Sequence, residues 1–204
     1  MNTGYDIWFR LIIGAQLIAM GVVRAYFGAP RAGKSAQASR AESAWLTATL
    51  GVVALLHYGA ILAYLAYPPM LRWSALEVGA PIRWIAIVIS CLGAAGEIWA
   101  AISLGTSYSP TLRVAEERVV VTAGPYRWIR HPLYAFWLPL MAGWGVAARN
   151  WFILVSGTVL VLVLMIIRVP REEAMMVEGF GESYREYMKR TGRFVPRLGS
   201  EQAK

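Results

Sequence analysis

The chain has 204 residues, 57% of them hydrophobic and only 16% charged, with a formal net charge of +8. Such a composition excludes a water-soluble globular domain and places the chain among integral membrane proteins. The positive charge lies largely outside the apolar stretches, which points to membrane topology and membrane lipids as partners, and excludes nucleic acid.

A bilayer span needs about 20 mainly apolar residues. Four stretches are long enough, at 7–27, 45–67, 82–103 and 133–167. The last divides at Arg149-Asn150 into Leu133 to Ala148 and Trp151 to Ile167, so the expected fold is all-α with five transmembrane helices. Residues 1–103 would hold three of these, and 104–204 a loop, a helical hairpin and a C-terminal amphipathic cytoplasmic helix. The first apolar run lacks a basic n-region and an Ala-x-Ala site, so it reads as a span rather than a cleaved signal. Gly28 to Ser43, rich in Ala, Gly, Ser and basic residues, reads as a flexible loop. Pro68-Pro69 should end the second span and Pro81 open the third.

Within the third span, Gly93, Ala94, Ala95 and Gly96 make a small-residue surface that lets another helix approach closely. Cys91, the single cysteine, excludes an internal disulfide and reads as a small buried apolar group. His57 and Glu97 are ionisable groups at mid-span, which are costly there. A His57–Glu97 pair linking spans two and three is expected, with a substrate-tunnel lining as the alternative.

The C-terminal half differs in character. Residues 104–132 form a connection with Pro110 and a β-branched run, Val119 to Thr122. Pro132 should start span four, whose Pro139, Gly143 and Gly145 predict a tilted or irregular helix. After Glu173, a charged helix places Phe180, Tyr184 and Tyr187 at i, i+4 and i+7, suited either to the membrane surface or to packing on its own protein. Sixteen of the 20 Lys and Arg residues fall on the side of this half's loops, against Arg10, Arg72, Arg83 and Arg149 on the other. That bias orients the N-terminus outside and the C-terminus in the cytoplasm.

Two polar clusters flank the hairpin: Gly124-Pro-Tyr-Arg-Trp-Ile-Arg-His-Pro-Leu-Tyr134 before it and Arg168-Val-Pro-Arg-Glu-Glu173 after it. One pass out and one back returns the chain to the same face, so the clusters should meet. The free N–H groups at the start of span four attract anions, and Arg127 and Arg130 add positive charge. Tyr126 and Tyr134 offer rings and hydroxyls. Glu172 and Glu173 oppose them, and Arg168 sits at the boundary, although Pro170 leaves open which carboxylate faces it. Taken alone, the first cluster reads equally well as a positive-inside anchor or as a site, and the second at least as well as a solvated charge group. No Gly-x-Gly-x-x-Gly follows a strand, no Walker A sequence occurs, and the two histidines and one cysteine are too scattered for a metal cluster.

Taken together, the elements have a specific order. Leu104-Gly105 comes first, then Gly124-x-Tyr126-x-x-x-Arg130-His131-Pro132-x-Tyr134, then Arg168-x-Pro170-x-Glu172-Glu173. Phe180-Gly181-Glu182-x-Tyr184-x-x-Tyr187 and Thr191-Gly-Arg193-Phe-x-Pro196 complete it. This succession resembles the isoprenylcysteine carboxyl methyltransferase family, and in particular its short five-span prokaryotic members. The resemblance implies an S-adenosylmethionine-dependent methyltransferase of the prokaryotic inner membrane, with its active site facing the cytoplasm. By position it implies cofactor contacts at Arg118, Val120, Tyr126, Arg130, His131, Pro132, Tyr134, Glu172 and Glu173. It further implies that Arg168 and Glu173 are catalytic, serving the substrate carboxylate and cofactor placement. Arg118 stands where the family often has a histidine before a Leu-Val pair.

Methyl transfer from a sulfonium needs donor and acceptor aligned and water excluded, and a cationic sulfur suits the faces of Tyr126, Tyr134 or Trp128. A carboxylate acceptor needs orientation, which a guanidinium supplies; an amine or thiol needs a base, for which Glu173 is the candidate. The expected acceptor is a lipophilic, isoprenylcysteine-like carboxylate. Alternatives are a phospholipid or small-thiol methyltransferase, an NADPH-dependent sterol-reductase-like protein, and a transporter or non-catalytic membrane scaffold.

Overall fold

A computed structural model of the protein describes residues 3–28, 44–105 and 120–197. Its helices are α1 (Thr3–Gly28), α2 (Ala44–Ala66), α3 (Ala80–Leu104), α4 (Pro132–Ala147), α5 (Trp151–Val163), α6 (Val169–Phe180) and α7 (Glu182–Arg190). No strand occurs among the described residues. The punctuation follows the chemistry of the chain. Pro68 opens a 3-10 turn just after α2, Pro81 lies in the first turn of α3, and Pro132 opens α4. Asn150 caps α5, its side chain accepting from Ile153 N at 2.9 Å.

Four helical stretches are long and apolar enough to cross a membrane: Asp6–Phe27, Ala48–Ala66, Ala80–Leu104 and Trp151–Phe180. The expected fifth, α4, has 16 residues, about 24 Å at 1.5 Å per residue, with Pro139 inside it. The last span runs on through a π turn, Leu164–Arg168, in which Val169 N–H donates to Leu164 O five residues back. That wider turn carries the helix through Pro170, which has no N–H to donate.

α1 packs on α3, α3 on α4, α4 on α5, α5 on α2 and α2 on α1, closing a ring around one core. Phe9, Ile13, Ile61, Leu140, Trp144 and Ile153 fill it, all fully buried. The α3–α4 seam is made possible by glycine. A Cβ at Gly93 would lie 2.8 Å from Phe136 O and 2.9 Å from Leu140 N. At Gly143 it would lie 2.7 Å from Ala86 O. Between lipid-solvated helices such close backbone approach, rather than a hydrophobic drive, supplies the packing energy.

Hydrogen bonds tie the ring internally. Gln16 accepts from Trp144 Nε1 at 2.6 Å and donates to Ser90 Oγ at 3.1 Å. At one end Arg83 donates to Ala147 O at 2.8 Å, pairs with Asp6 at 2.6 Å and stacks on Phe9. This end therefore gathers the starts of α1 and α3 and the α4–α5 turn. The opposite end receives residues 120–134 and 168–197.

Several expectations are corrected. His57 and Glu97 do not pair: His57 Nδ1 meets Ser156 Oγ of α5 at 3.0 Å, and Glu97 meets Arg24 of α1 at 3.4 Å. Their helices are not neighbours in the ring, so each group finds a partner on the helix beside its own. Cys91 is exposed on α3 rather than buried. The charged C-terminal helix is two helices, broken at Gly181, whose φ of 58° is left-handed. Residues 28–43 lie largely outside the described residues.

Gly93→Val should destabilise the protein by about 1–3 kcal/mol, because the α3–α4 backbones cannot separate without losing the seam. Thermal unfolding in detergent would show it, against an unchanged melting temperature for Gly21→Ala, where a Cβ meets nothing within 4 Å.

Candidate active site

The segment before α4 and the tail after α7 are built against each other. Gly124, with a φ of 57°, starts a tight turn, Gly124–Arg127, that leads the chain towards His131. Beyond α7 the chain pairs with that segment. Gly192 N donates to Trp128 O at 3.0 Å, Arg130 N to Gly192 O at 2.8 Å and His131 N to Arg193 O at 3.0 Å. α7 is pinned by Tyr187, whose hydroxyl donates to Tyr126 O at 2.6 Å. Burial pushes the Tyr187 phenol up from its ordinary pKa, so it remains a neutral donor.

This pairing aims two arginines at one carboxylate. Arg130 Nε meets Glu173 Oε1 at 2.9 Å, and Arg193 Nη2 binds Glu173 Oε2. Arg130 also donates to Met188 O at 3.1 Å and to Thr191 O. Glu173 is only 4% exposed, so its charge is compensated by guanidinium rather than by water. His131 Nε2 lies 3.3 Å from Glu173 Oε1, off the hydrogen-bond line, and is buried with no bonded partner.

The neighbouring carboxylate forms a second group. Glu172 Oε1 accepts from Tyr134 OH at 2.8 Å and from Arg168 Nε at 2.9 Å, and Glu172 Oε2 stands 3.6 Å from His131 Nδ1. Arg168 therefore faces Glu172, four residues on, because the π turn keeps the helix continuous past Pro170. The His131 ring sits 6.1 Å, centroid to centroid, from both Tyr134 and Phe194.

Of the expected site residues, Arg130, His131, Tyr134, Arg168, Glu172 and Glu173 come together at one end of the bundle. Pro132 is buried in the first turn of α4, and Tyr126 is buried under α7. Val120 is half-buried, and Arg118 lies outside the described residues. Trp128 does not join the cluster. It packs against Trp99 and lines an apolar cavity of about 510 Å³ with Ile89, Leu92, Phe136, Pro139 and Phe194. Arg193 is the member of this cluster to which the sequence assigned no role. It stands 20 residues from Glu173. Only its place between Gly192 and Phe194, just past a helix, marks it as part of a docked tail.

Comparison with known proteins follows these elements. Residues 84–178 match the model of the Isoprenylcysteine carboxyl methyltransferase (ICMT) family. A protein-S-isoprenylcysteine O-methyltransferase of Tribolium castaneum is 26% identical over 120 residues, covering 56% of this chain and 43% of that protein. The chain thus spans less than half the length of that relative. A protein of the same name from Schizosaccharomyces pombe is 23% identical over 95% of this chain and 84% of its own length. Among solved structures, the eukaryotic intramembrane Ras methyltransferase ICMT, without a monobody, superposes with a TM-score of 0.58. That match has 19% identity and covers 91% of this chain and 66% of the other, so the two share a fold.

Glu173→Gln should leave Arg130 and Arg193 without their counter-charge and cost about 3–5 kcal/mol. The tail from α7 to Pro196 should then become cleavable in limited proteolysis that spares the wild type.

Proposed function

We propose, for a chain that belongs over residues 84–178 to the isoprenylcysteine carboxyl methyltransferase family, that it is a membrane methyltransferase using S-adenosylmethionine. Its acceptor is a lipophilic, isoprenylcysteine-like molecule bearing a carboxylate. The observation that carries this reading is the convergence of His131, Tyr134, Arg168 and Glu172 beside the Arg130–Glu173–Arg193 hub.

The residues suit the cofactor. The start of α4 has no side-chain cap, and His131 keeps a buried ring nitrogen without a hydrogen bond. Such groups fit a carboxylate, while Glu172 and the Tyr134 ring fit an ammonium and a sulfonium. When bound, the cofactor supplies an electrophilic methyl group. Tyr126, Pro132 and Val120 frame that end of the bundle, and Arg118 precedes Val120 by two residues in the sequence.

The state of Glu173 bears on the acceptor. Two guanidiniums hold it and His131 crowds it, so it is poorly placed to take a proton. We therefore assign Glu173 to placing the cofactor-side loop and tail, and Arg168 to orienting the acceptor. A carboxylate needs no base and so fits this site better than an amine or thiol. The apolar cavity bordered by Phe194, whose ring also packs near His131, suits a lipid chain arriving from the membrane.

In this reading α4 completes five spans by sharing the bundle's depth with α3 and α5. The positive-inside bias then turns the cluster to the cytoplasm of a prokaryotic inner membrane, where the cofactor is dissolved and the acceptor enters from lipid. Residues 104–204 form the catalytic half and the first three helices its support.

With N-acetyl-S-farnesylcysteine as acceptor, Arg168→Ala should lower kcat about 100-fold, because the acceptor loses alignment, and leave cofactor affinity within about threefold. Equal loss of both, or of neither, in a methyl-transfer assay would remove Arg168 from that role.

A further inference from the structure

The bundle holds a second polar group, away from the Glu172–Glu173 cluster. Glu97 of α3 is 3% exposed, and its Oε2 is buried with no hydrogen-bond partner. Its Oε1 meets Arg24 Nη2 of α1 at 3.4 Å, longer than a well-made charge-assisted bond. The Arg24 side chain stays 41% exposed, and its guanidinium lies 4.3 Å over the Trp137 ring of α4. Three helices, α1, α3 and α4, thus contribute one side chain each. Trp137 lies three residues along α4 from Tyr134, so the group sits about one turn deeper in the bundle than the Tyr134–Glu172 contact.

As a structural tie this pair is badly made. One carboxylate oxygen is spent on a long contact and the other on nothing, while the arginine keeps an open face. Intramembrane ionisable groups usually mark a ligand path, and an orphaned buried acceptor calls for a donor. We propose that Arg24, Glu97 and Trp137 bind the headgroup of a membrane-borne amphiphile that carries both an anionic group and a hydrogen-bond donor. The guanidinium, flattened on Trp137, receives carboxylate or phosphate oxygens, and Glu97 Oε2 accepts the donor's N–H or O–H. A phosphocholine headgroup, with no donor and no net charge, does not fit. Two sources carry the required chemistry: an acceptor with a carboxylate beside an amide N–H, held here before that carboxylate moves on to Arg168, and a phospholipid with a phosphate beside hydroxyls. The site stands whether or not the chain transfers methyl groups.

The test is equilibrium binding to the purified full chain in detergent, using N-acetyl-S-farnesylcysteine, phosphatidylglycerol and phosphatidylcholine. The wild type should prefer at least one of the first two over phosphatidylcholine by about tenfold or more, and Arg24→Gln should shrink that preference to within about twofold. Arg24→Lys, which keeps charge but loses the flat stack, should retain part of it. Loss confined to the farnesylcysteine assigns the site to the acceptor, and loss confined to phosphatidylglycerol assigns it to a resident lipid. A wild type without preference, or an Arg24→Gln variant that keeps it, overturns the proposal. Should Arg24→Gln fail to fold, Trp137→Leu, which removes the ring under the guanidinium, takes its place with the same outcomes. The primary amide of the farnesylcysteine should compete about tenfold more weakly than the acid, and equal competition overturns the acceptor assignment, leaving phosphatidylglycerol preference as the deciding result. Absence of cofactor binding or methyl transfer in the same sample would count against the methyltransferase reading and leave this site untouched.

Discussion

A buried carboxylate clasped by two guanidiniums holds the functional end of this protein together. Glu173 rises from the last span, Arg130 comes from the segment before α4, and Arg193 from the tail beyond α7. The two arginines lie on short non-helical segments that pair with each other. Their mutual position depends on charge satisfied away from water, backed by the backbone pairing of residues 128–131 with 192–193. Removing one member leaves uncompensated charge, so the cluster is assembled as a unit.

That constraint shapes the chemistry available. The acidic group best buried is also the one most fully engaged, which leaves Glu172, Tyr134 and His131 as the adaptable surface. Such a site orients and compensates charge better than it abstracts protons. Orientation is what a carboxylate acceptor and a sulfonium donor require. The glycine seam between α3 and α4 and the π turn before Pro170 serve the same end, since they set the depth and rotation at which Tyr134 and Arg168 arrive. A helix interrupted at Pro170 would have pointed Arg168 away from Glu172.

Much of this was legible in the sequence. Apolar length located the long helices, Pro132 marked the start of α4, and the small residues Gly93 and Gly96 announced a close helix contact. The hairpin argument placed His131 with Glu172 and Glu173 because an up-and-back path must return to one face. What could not be read depended on rotation and on long-range pairing. The ring order of the helices separates His57 from Glu97, and no local pattern encodes that order. Which carboxylate faces Arg168 required knowing that a π turn bridges the proline. Arg193 reaches Glu173 through a short extended segment with no periodicity of its own. The break at Gly181 was open to reading as helix interior, because its neighbours continue an amphipathic pattern.

The central claim is that this cluster holds S-adenosylmethionine, and calorimetric titration of the cofactor into purified protein in detergent tests it most directly. The wild type should bind in the micromolar range, and His131→Ala and Tyr134→Leu should each weaken binding about tenfold or more while keeping the wild-type melting temperature. A folded wild-type sample that gives no binding would contradict the account.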